Sequence, residues 1–278
     1  MAKTKEESTA LVMNPATGEM VDPSVLFNME GFEGEGLGQD FEKDDLIIPR
    51  ITILQDLSPQ VKERKAEFVE GAKVGMIYNS INNALDAKLM FIPAHYHAPW
   101  VAWKPRPDGG LVDNDVDPAI LTEAEGFFED GIDRFTGHMS PFGTDADKVK
   151  VEVIKTPTWV GIAVGENGWT MPVAISFPAT KSKAARKINT AINLCKRKRS
   201  NGDGTFRPPG FAHTFELGTA IEQAGENEWF GYTVNHVSAA NDQSTDPIVT
   251  QALAEAIELA RAFASGEARV ADATETDR

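Results

Sequence analysis

Apolar and polar positions alternate with the period of a β-strand through most of the middle of the chain, and with the period of a helix in two places. Leu46 to Gln55 (LIIPRITILQ) is rich in β-branched residues and predicts a strand, with Pro49 placing it at an edge or a bulge. Val74 to Asn79 predicts a short strand after the turn residue Gly71. Ala87 to Trp103 is a long β-type run, and the prolines Pro93 and Pro99 predict a bent or edge strand there. Val149 to Val164 and Trp169 to Phe177 flank Gly165-Glu166-Asn167-Gly168, in which Asn-Gly is a hairpin signal. Phe211 to Ala220 and Trp229 to Val237 predict a second hairpin.

Helical spacing replaces alternation from Lys181 to Arg199, where Ala184, Ala185, Ile188, Ala191, Ile192 and Cys195 fall on one face. Asn201-Gly202-Asp203-Gly204 breaks the chain after it. A last helix is predicted from the cap Asp246 and Pro247 to the stop at Gly266, with Val249, Ala252, Leu253, Ala256, Ala260 and Phe263 on its apolar face. The expected organisation is an acidic flexible arm (1–45), a β-rich core (46–245), a C-terminal helix (246–266) and a polar tail (267–278). Within the core, residues 105–148 hold eleven Asp or Glu against three basic residues and read as an acidic insertion over the core surface, with a short helix from Pro118 to Glu125. Strands adjacent in sequence imply antiparallel pairing, so the expected class is α+β, mainly antiparallel β. An OB-like five-stranded barrel with inserted helices fits the count of strands, and a β-sandwich fits it nearly as well.

Composition narrows the picture. Hydrophobic residues make up 41% of the 278, enough for a real core, which excludes wholesale disorder. No run of 18 apolar residues is present and the N-terminal MAKTKEESTALVMNP is no signal peptide, so neither a membrane span nor export is expected. The single cysteine, Cys195, permits no internal disulfide, which fits a reducing cytoplasm.

Charge changes the picture most. The net charge is −15, a mean field that repels a polyanion. Yet Lys181 to Arg199 holds eight Lys or Arg and no acid, leaving 19 basic and 42 acidic residues, a balance of −23, for the rest of the chain. Screening lengths of about 8 Å let such a patch act despite a distant acidic excess. Lys181, Lys183, Arg186 and Lys187 lie on the predicted helix off its apolar face, and Lys196, Arg197, Lys198 and Arg199 cluster at its end. One or two of them would suit the helix dipole; four in succession repel one another and call for solvent or an anion. A solvated face and a phosphate-binding face both remain open. Single strands also need aromatic faces for base stacking. Tyr96, Trp100 and Trp103 crowd one predicted strand just before Lys104 and Arg106, although aromatics in strands are more often core.

Other chemistry has thinner support. His95 and His97 would share one strand face, as in a cupin-like metal enzyme, but no spacing identifies the third and fourth ligands among His138, His213, His236 and the carboxylates. Gly31 to Gly38 lacks the Lys-Ser/Thr ending of a phosphate-binding loop, and no G-x-S-x-G elbow occurs. No general acid/base pair stands at a recognisable spacing, so neither catalysis nor a cofactor is expected.

Three strings near the start, LIIPRITILQDLSPQV, GMIYNS and KLMFIPAHYHAPWVAW, and two later ones, ISFPATKSKAARKINTAI and PPGFAHTFELGTAIEQAGENEWFGYTV, resemble bacteriophage single-stranded-DNA-binding proteins over about residues 46–238. The resemblance implies an oligonucleotide-binding barrel, with single-stranded DNA held by basic and aromatic side chains during phage replication or recombination in the host cytoplasm. It also implies an acidic C-terminal tail that recruits replication or recombination proteins. Here the tail carries Asp272, Glu275 and Asp277 but ends in Arg278, without a terminal aromatic residue. The acidic arm at 30–45 is the alternative recruiter. A second reading keeps the basic helix as a dock for an acidic protein partner.

Overall fold

The structure, a computed structural model, describes residues 12–13, 20–21, 48–105, 109–129, 133–140, 147–178, 181–239, 247–268 and 270. Of the first unit, Met1–Leu46, the structure describes the antiparallel pair β1 (Val12–Met13) and β2 (Met20–Val21). The acidic arm at 30–45, Arg106, the cap Asp246 and the acids of the C-terminal tail lie outside the described residues.

Among the described residues, the second unit, Ile47–Arg278, is an α+β assembly of two large sheets, a small two-stranded hairpin and three α-helices. Its larger sheet is built from β3 (Arg50–Ile53), β4 (Ile77–Asn79), β5 (Leu85–Asp86), β6 (Lys88–His97), β12 (Thr158–Gly165), β13 (Thr170–Ser176), β16 (His213–Ala224) and β17 (Asn227–Ala239). The order across it is β17-β16-β6-β12-β13-β3-β4-β5. Every pairing of these strands is antiparallel except β13 with β3. The sheet curls like a half-barrel, and its β17 end returns to β3. There Gln55 bonds the backbone of Phe230, the Tyr232 hydroxyl donates to the Ile51 carbonyl over 3.5 Å, and Thr219 Oγ1 donates to the Gly75 carbonyl at 2.5 Å. Phe230 fits because residue 75 is glycine. Its φ is +88°, and a Cβ there would meet the Phe230 ring at 2.5 Å.

The alternation seen in the sequence sorts the side chains of β6 and β12 onto two covered faces. Leu89, Phe91, Trp159 and Ala163 face inward, with Ile51, Ile175, Phe177, Phe215, Leu217 and Val234. Helix α2 (Ser182–Leu194) closes this core with Ala184, Ala185 and Ile188. Ile92, Ile162 and Val164 point the other way, against Ala252 and Ala256 of helix α3 (Pro247–Ala264). Coverage on both sides explains why all eight residues of β12 are buried. Helix α3 stops as its sequence predicts: Gly266 has φ +75° and the Glu267 amide bonds the Ala262 carbonyl at 2.8 Å.

The smaller sheet corrects the reading of residues 105–148. In place of an insertion draped over the core, they supply β8 (Leu111–Asp113), helix α1 (Pro118–Glu123), β9 (Glu125–Phe128) and β10 (Arg134–Met139). These join β7 (Trp100–Trp103) and β11 (Val149–Lys155) in the order β8-β7-β11-β10-β9, over a core of Val112, Val116, Leu121, Phe135, Met139, Val151 and Val153. The acids that dominated the composition sit between these apolar positions. The two sheets share one ribbon: Thr158 pairs with His97 in the larger sheet, and Lys155 pairs with Trp100 in the smaller. Ala98-Pro99 and Thr156-Pro157 form the joint, tied by a 2.8 Å bond from the Thr156 amide to the Pro99 carbonyl. The bend expected at Pro99 is this joint.

Pro93 sits beside a bulge, since Val160 faces His95 while Gly161 faces Pro93. One further expectation is overturned. The strand after Pro49 is interior, flanked by β13 and β4. Pro49 precedes its first residue and offers its carbonyl to the Ala174 amide at 2.8 Å, so the missing N–H breaks no ladder bond.

Candidate nucleic-acid interface

Helix α2 has the amphipathic spacing read from the sequence but is shorter than expected. It ends at Leu194, and the Cys195 amide makes its last bond, to the Ala191 carbonyl at 3.2 Å. The cluster Lys196 to Arg199 therefore does not prolong the helix or meet its dipole. Arg197–Lys198 is strand β14, paired antiparallel with β15 (Thr205–Phe206). The four-residue break predicted at Asn201–Gly204 is the turn of this hairpin. Gly202 and Gly204 have φ of +76° and +78°, the Gly202 amide bonds the Arg199 carbonyl at 2.9 Å, and Asn201 Oδ1 accepts from the Asp203 amide at 3.1 Å.

The basic side chains point to solvent. Lys183, Arg186 and Lys187 are exposed on α2, opposite the buried Ala184, Ala185 and Ile188; Lys196, Lys198, Arg199 and Arg207 are exposed on the hairpin. Lys181 and Arg197 are half-buried. Among the described residues no ion pair holds Lys183, Arg186, Lys187, Lys196, Lys198 or Arg199. Arg186 reaches only Ser182 Oγ of the preceding turn, at 3.1 Å.

The aromatic candidates separate. Tyr96 is 37% exposed and leans on its cross-strand neighbour Trp159 with ring centroids 5.0 Å apart. Trp159 in turn donates its indole N–H to Asn189 Oδ1 of α2 at 2.8 Å, so Tyr96 belongs to the face that α2 covers. Trp100 is half-buried in the smaller sheet, edge-on to Phe128 at 6.0 Å, with Lys155 Nζ 5.9 Å from its ring centroid. Trp103 is a correction. It is 1% exposed, packed with Val101, Ile154 and Leu111, and offers no ring face to a base. By alternation it points to the opposite face of β7 from Trp100, and that face is covered. Lys104 is exposed just after it, and Arg106 lies outside the described residues.

Phe206 is the aromatic residue that sequence reading missed. It is 40% exposed on β15, opposite Arg197, and the guanidinium of Arg199 lies 6.0 Å from its ring centroid. Its signal in the sequence was a lone Phe between a Gly-rich turn and Arg207-Pro208-Pro209, which no periodicity marks as a strand.

His95 and His97 do share a face, with ring centroids 5.8 Å apart, but it is the face that α3 covers: Phe263 stacks on His95 at 4.5 Å. Burial, then the charges of His95 and Arg50, push the His97 imidazole down to about 4, against an opposing pull from Asp115. Burial and the neighbouring His236 also lower that of His213, whose Nδ1 lies 3.1 Å from His236 Nε2. Among the described residues no group of three or more His, Cys, Asp or Glu could hold a metal ion. A cleft of about 490 Å³ in the smaller sheet is lined by Asp113, Asp115, Asp117 and Glu123, the opposite charge from the α2 surface.

No helix among the described residues is long and apolar enough to cross a membrane. Neither a curated protein nor a solved structure matches the chain. A family model, that of the Pam3 phage gp34-like protein, matches residues 16–268, which takes in both sheets, α2 and the basic hairpin. The chain belongs to this phage protein family.

Proposed function

We propose that the protein binds single-stranded DNA without sequence preference, as a non-catalytic component of phage DNA replication or recombination in the host cytoplasm. The observation that carries this reading is the acid-free run from Lys181 to Arg199. It supplies exposed cations on α2 and on the adjoining hairpin, and no ion pair among the described residues occupies six of them. So many cations side by side repel one another, and a polyanion that meets them relieves this repulsion and releases its own counterions. Phe206 and Tyr96 add the exposed aromatic faces that unpaired bases need. The curled sheet, with α2 closing its inner core, is compatible with an oligonucleotide-binding barrel.

Single strands are favoured over duplex because nothing in this surface has the form of a recognition helix. The apolar side of α2 is committed to the core, and its outer face is short: Lys183, Arg186 and Lys187 lie in its first half, Asn189 is held by Trp159, and only Asn193 in the last turn is an exposed amide. The test is binding of an end-labelled oligothymidylate at two salt concentrations, competed by unlabelled single strand or duplex. The expected result is salt-sensitive binding that the single strand displaces far better than the duplex. Equal competition by duplex rejects the preference. Absent binding, together with capture by a polyglutamate peptide, favours the reading in which the basic surface docks an acidic protein.

A further inference from the structure

We infer that the β14–β15 hairpin is a base-stacking finger, with Phe206 as the residue on which a base rests. This rests on the single-strand reading and assigns to the hairpin a task beyond neutralising phosphates. Alternation along the two strands divides the finger into unlike faces. Arg197, Arg199 and Phe206 share one, since Arg197 and Phe206 are direct cross-strand partners and Arg199 stands over the ring. Lys198 and Thr205 pair on the other, where strand parity also puts Lys196 and Arg207. One face thus offers a phenyl ring flanked by planar guanidinium groups, and the other offers mainly ammonium groups. A nucleotide has the same two sides: a flat base with a π face, and an anionic phosphate. Guanidinium planes and aromatic rings both stack on bases, while Lys meets phosphate as a point charge.

The finger is also held in place well enough to act. Residues 198–207 are all exposed, so the packed core does not shape the hairpin, yet it has a ladder and a turn with its own bonds. At its base the chain passes Pro208, which is buried, and then Gly210, where a Cβ would lie 3.7 Å from the Trp159 ring. Trp159 is the residue against which Tyr96 leans. The finger is therefore rooted beside the second exposed aromatic, and a strand following α2 would meet both. Phe206 has no structural task of matching size: at 40% exposure it supports the Arg199 guanidinium and joins no buried cluster.

The experiment compares two labelled strands of equal length, oligothymidylate and an abasic strand with the same phosphates, by fluorescence anisotropy. Phe206→Ala should weaken binding of oligothymidylate about tenfold and leave the abasic strand unchanged. Phe206→Leu keeps an apolar side chain under Arg199 but has no π face, and should behave like Phe206→Ala. Phe206→Trp should restore binding. Circular dichroism should be the same for all variants. If Phe206→Ala binds oligothymidylate as tightly as the parent, or loses equally on the abasic strand, the stacking role is overturned and the single-strand reading stands. A parent protein that binds neither strand overturns both.

Discussion

The side-chain amide of Gln55 bonds the backbone of Phe230 as a neighbouring strand would. Its Nε2 donates to the Phe230 carbonyl at 2.8 Å and its Oε1 accepts from the Phe230 amide at 2.9 Å. One glutamine thus fastens β17, at one end of the sheet order, beside β3. Gln55→Leu should leave both backbone groups of Phe230 without these partners and cost about 2 kcal/mol, at roughly 1 kcal/mol per hydrogen bond. Urea unfolding measures it. A change of only a few tenths would mean that the sheet end is held by Tyr232 and Thr219 alone.

Stability should fall in acid through His97. Its folded pKa of about 4 lies below the ordinary 6.5, so the unfolded chain takes up the proton first. The stabilisation is complete above about 6.5 and is lost as pH falls towards about 4. Unfolding midpoints at both pH values, for the parent and for His97→Gln, test this: the variant should lose less stability on acidification, because its amide does not titrate.

Trp103 and Tyr96, both expected to stack bases, should separate on substitution. Trp103→Ala empties a buried site and should cost about 3–5 kcal/mol. Tyr96→Ala removes a ring that is 37% exposed, so it should change stability far less and weaken oligonucleotide binding instead. Thermal melts and anisotropy on the two variants give the comparison.

The cations of α2 can be tested apart from the fold. Lys183→Ala, Arg186→Ala and Lys187→Ala in one chain leave the buried Ala184, Ala185 and Ile188 untouched and introduce the best helix former. If all three meet phosphates, the slope of log affinity against log salt should flatten by about 2 units, at roughly 0.7 per contact, with a similar loss for every base composition. An unchanged slope in a folded variant removes α2 from the interface.

How legible the molecule was in its sequence depended on whether a local period carried the information. The face of α2, the stop of α3 at Gly266 and the Asn-Gly hairpin before β13 were readable, because each is set by neighbours a few residues apart. The smaller sheet was not. β8, β9 and β10 are three to six residues long, and acids such as Asp113, Glu125 and Glu129 in or beside them dominated the composition. Composition averages over a window, whereas burial depends on the alternate positions Phe135 and Met139 that face the core. Helical phase was carried too far at Lys196–Arg199, where basic side chains suit a helix end as well as an extended hairpin. Trp103 and Trp100 could not be told apart without knowing that both faces of β7 are packed. Phe206 has its surroundings, Arg197 and Arg199, from a partner strand seven to nine residues away, across a turn.

The ribbon that runs through both sheets bears on how the chain finds its fold. His97 and Thr158 are partners across a long stretch of sequence, and closing such a loop has a substantial entropic cost. The residues in between are not idle chain. β7 and β11, aided by β8 to β10, can pair over shorter loops, and their pairing delivers Pro99 and Pro157 to the same point. From there the ladder of β6 and β12 needs only to extend from Thr158 towards Gly165. If the smaller sheet pairs first, the central strands of the larger one need only zip outward from it, and stepwise growth replaces a slow long-range search. In that order of events a lesion at Phe135 or Val151, in the core of the smaller sheet, should slow refolding of the larger sheet, whose own core does not include them.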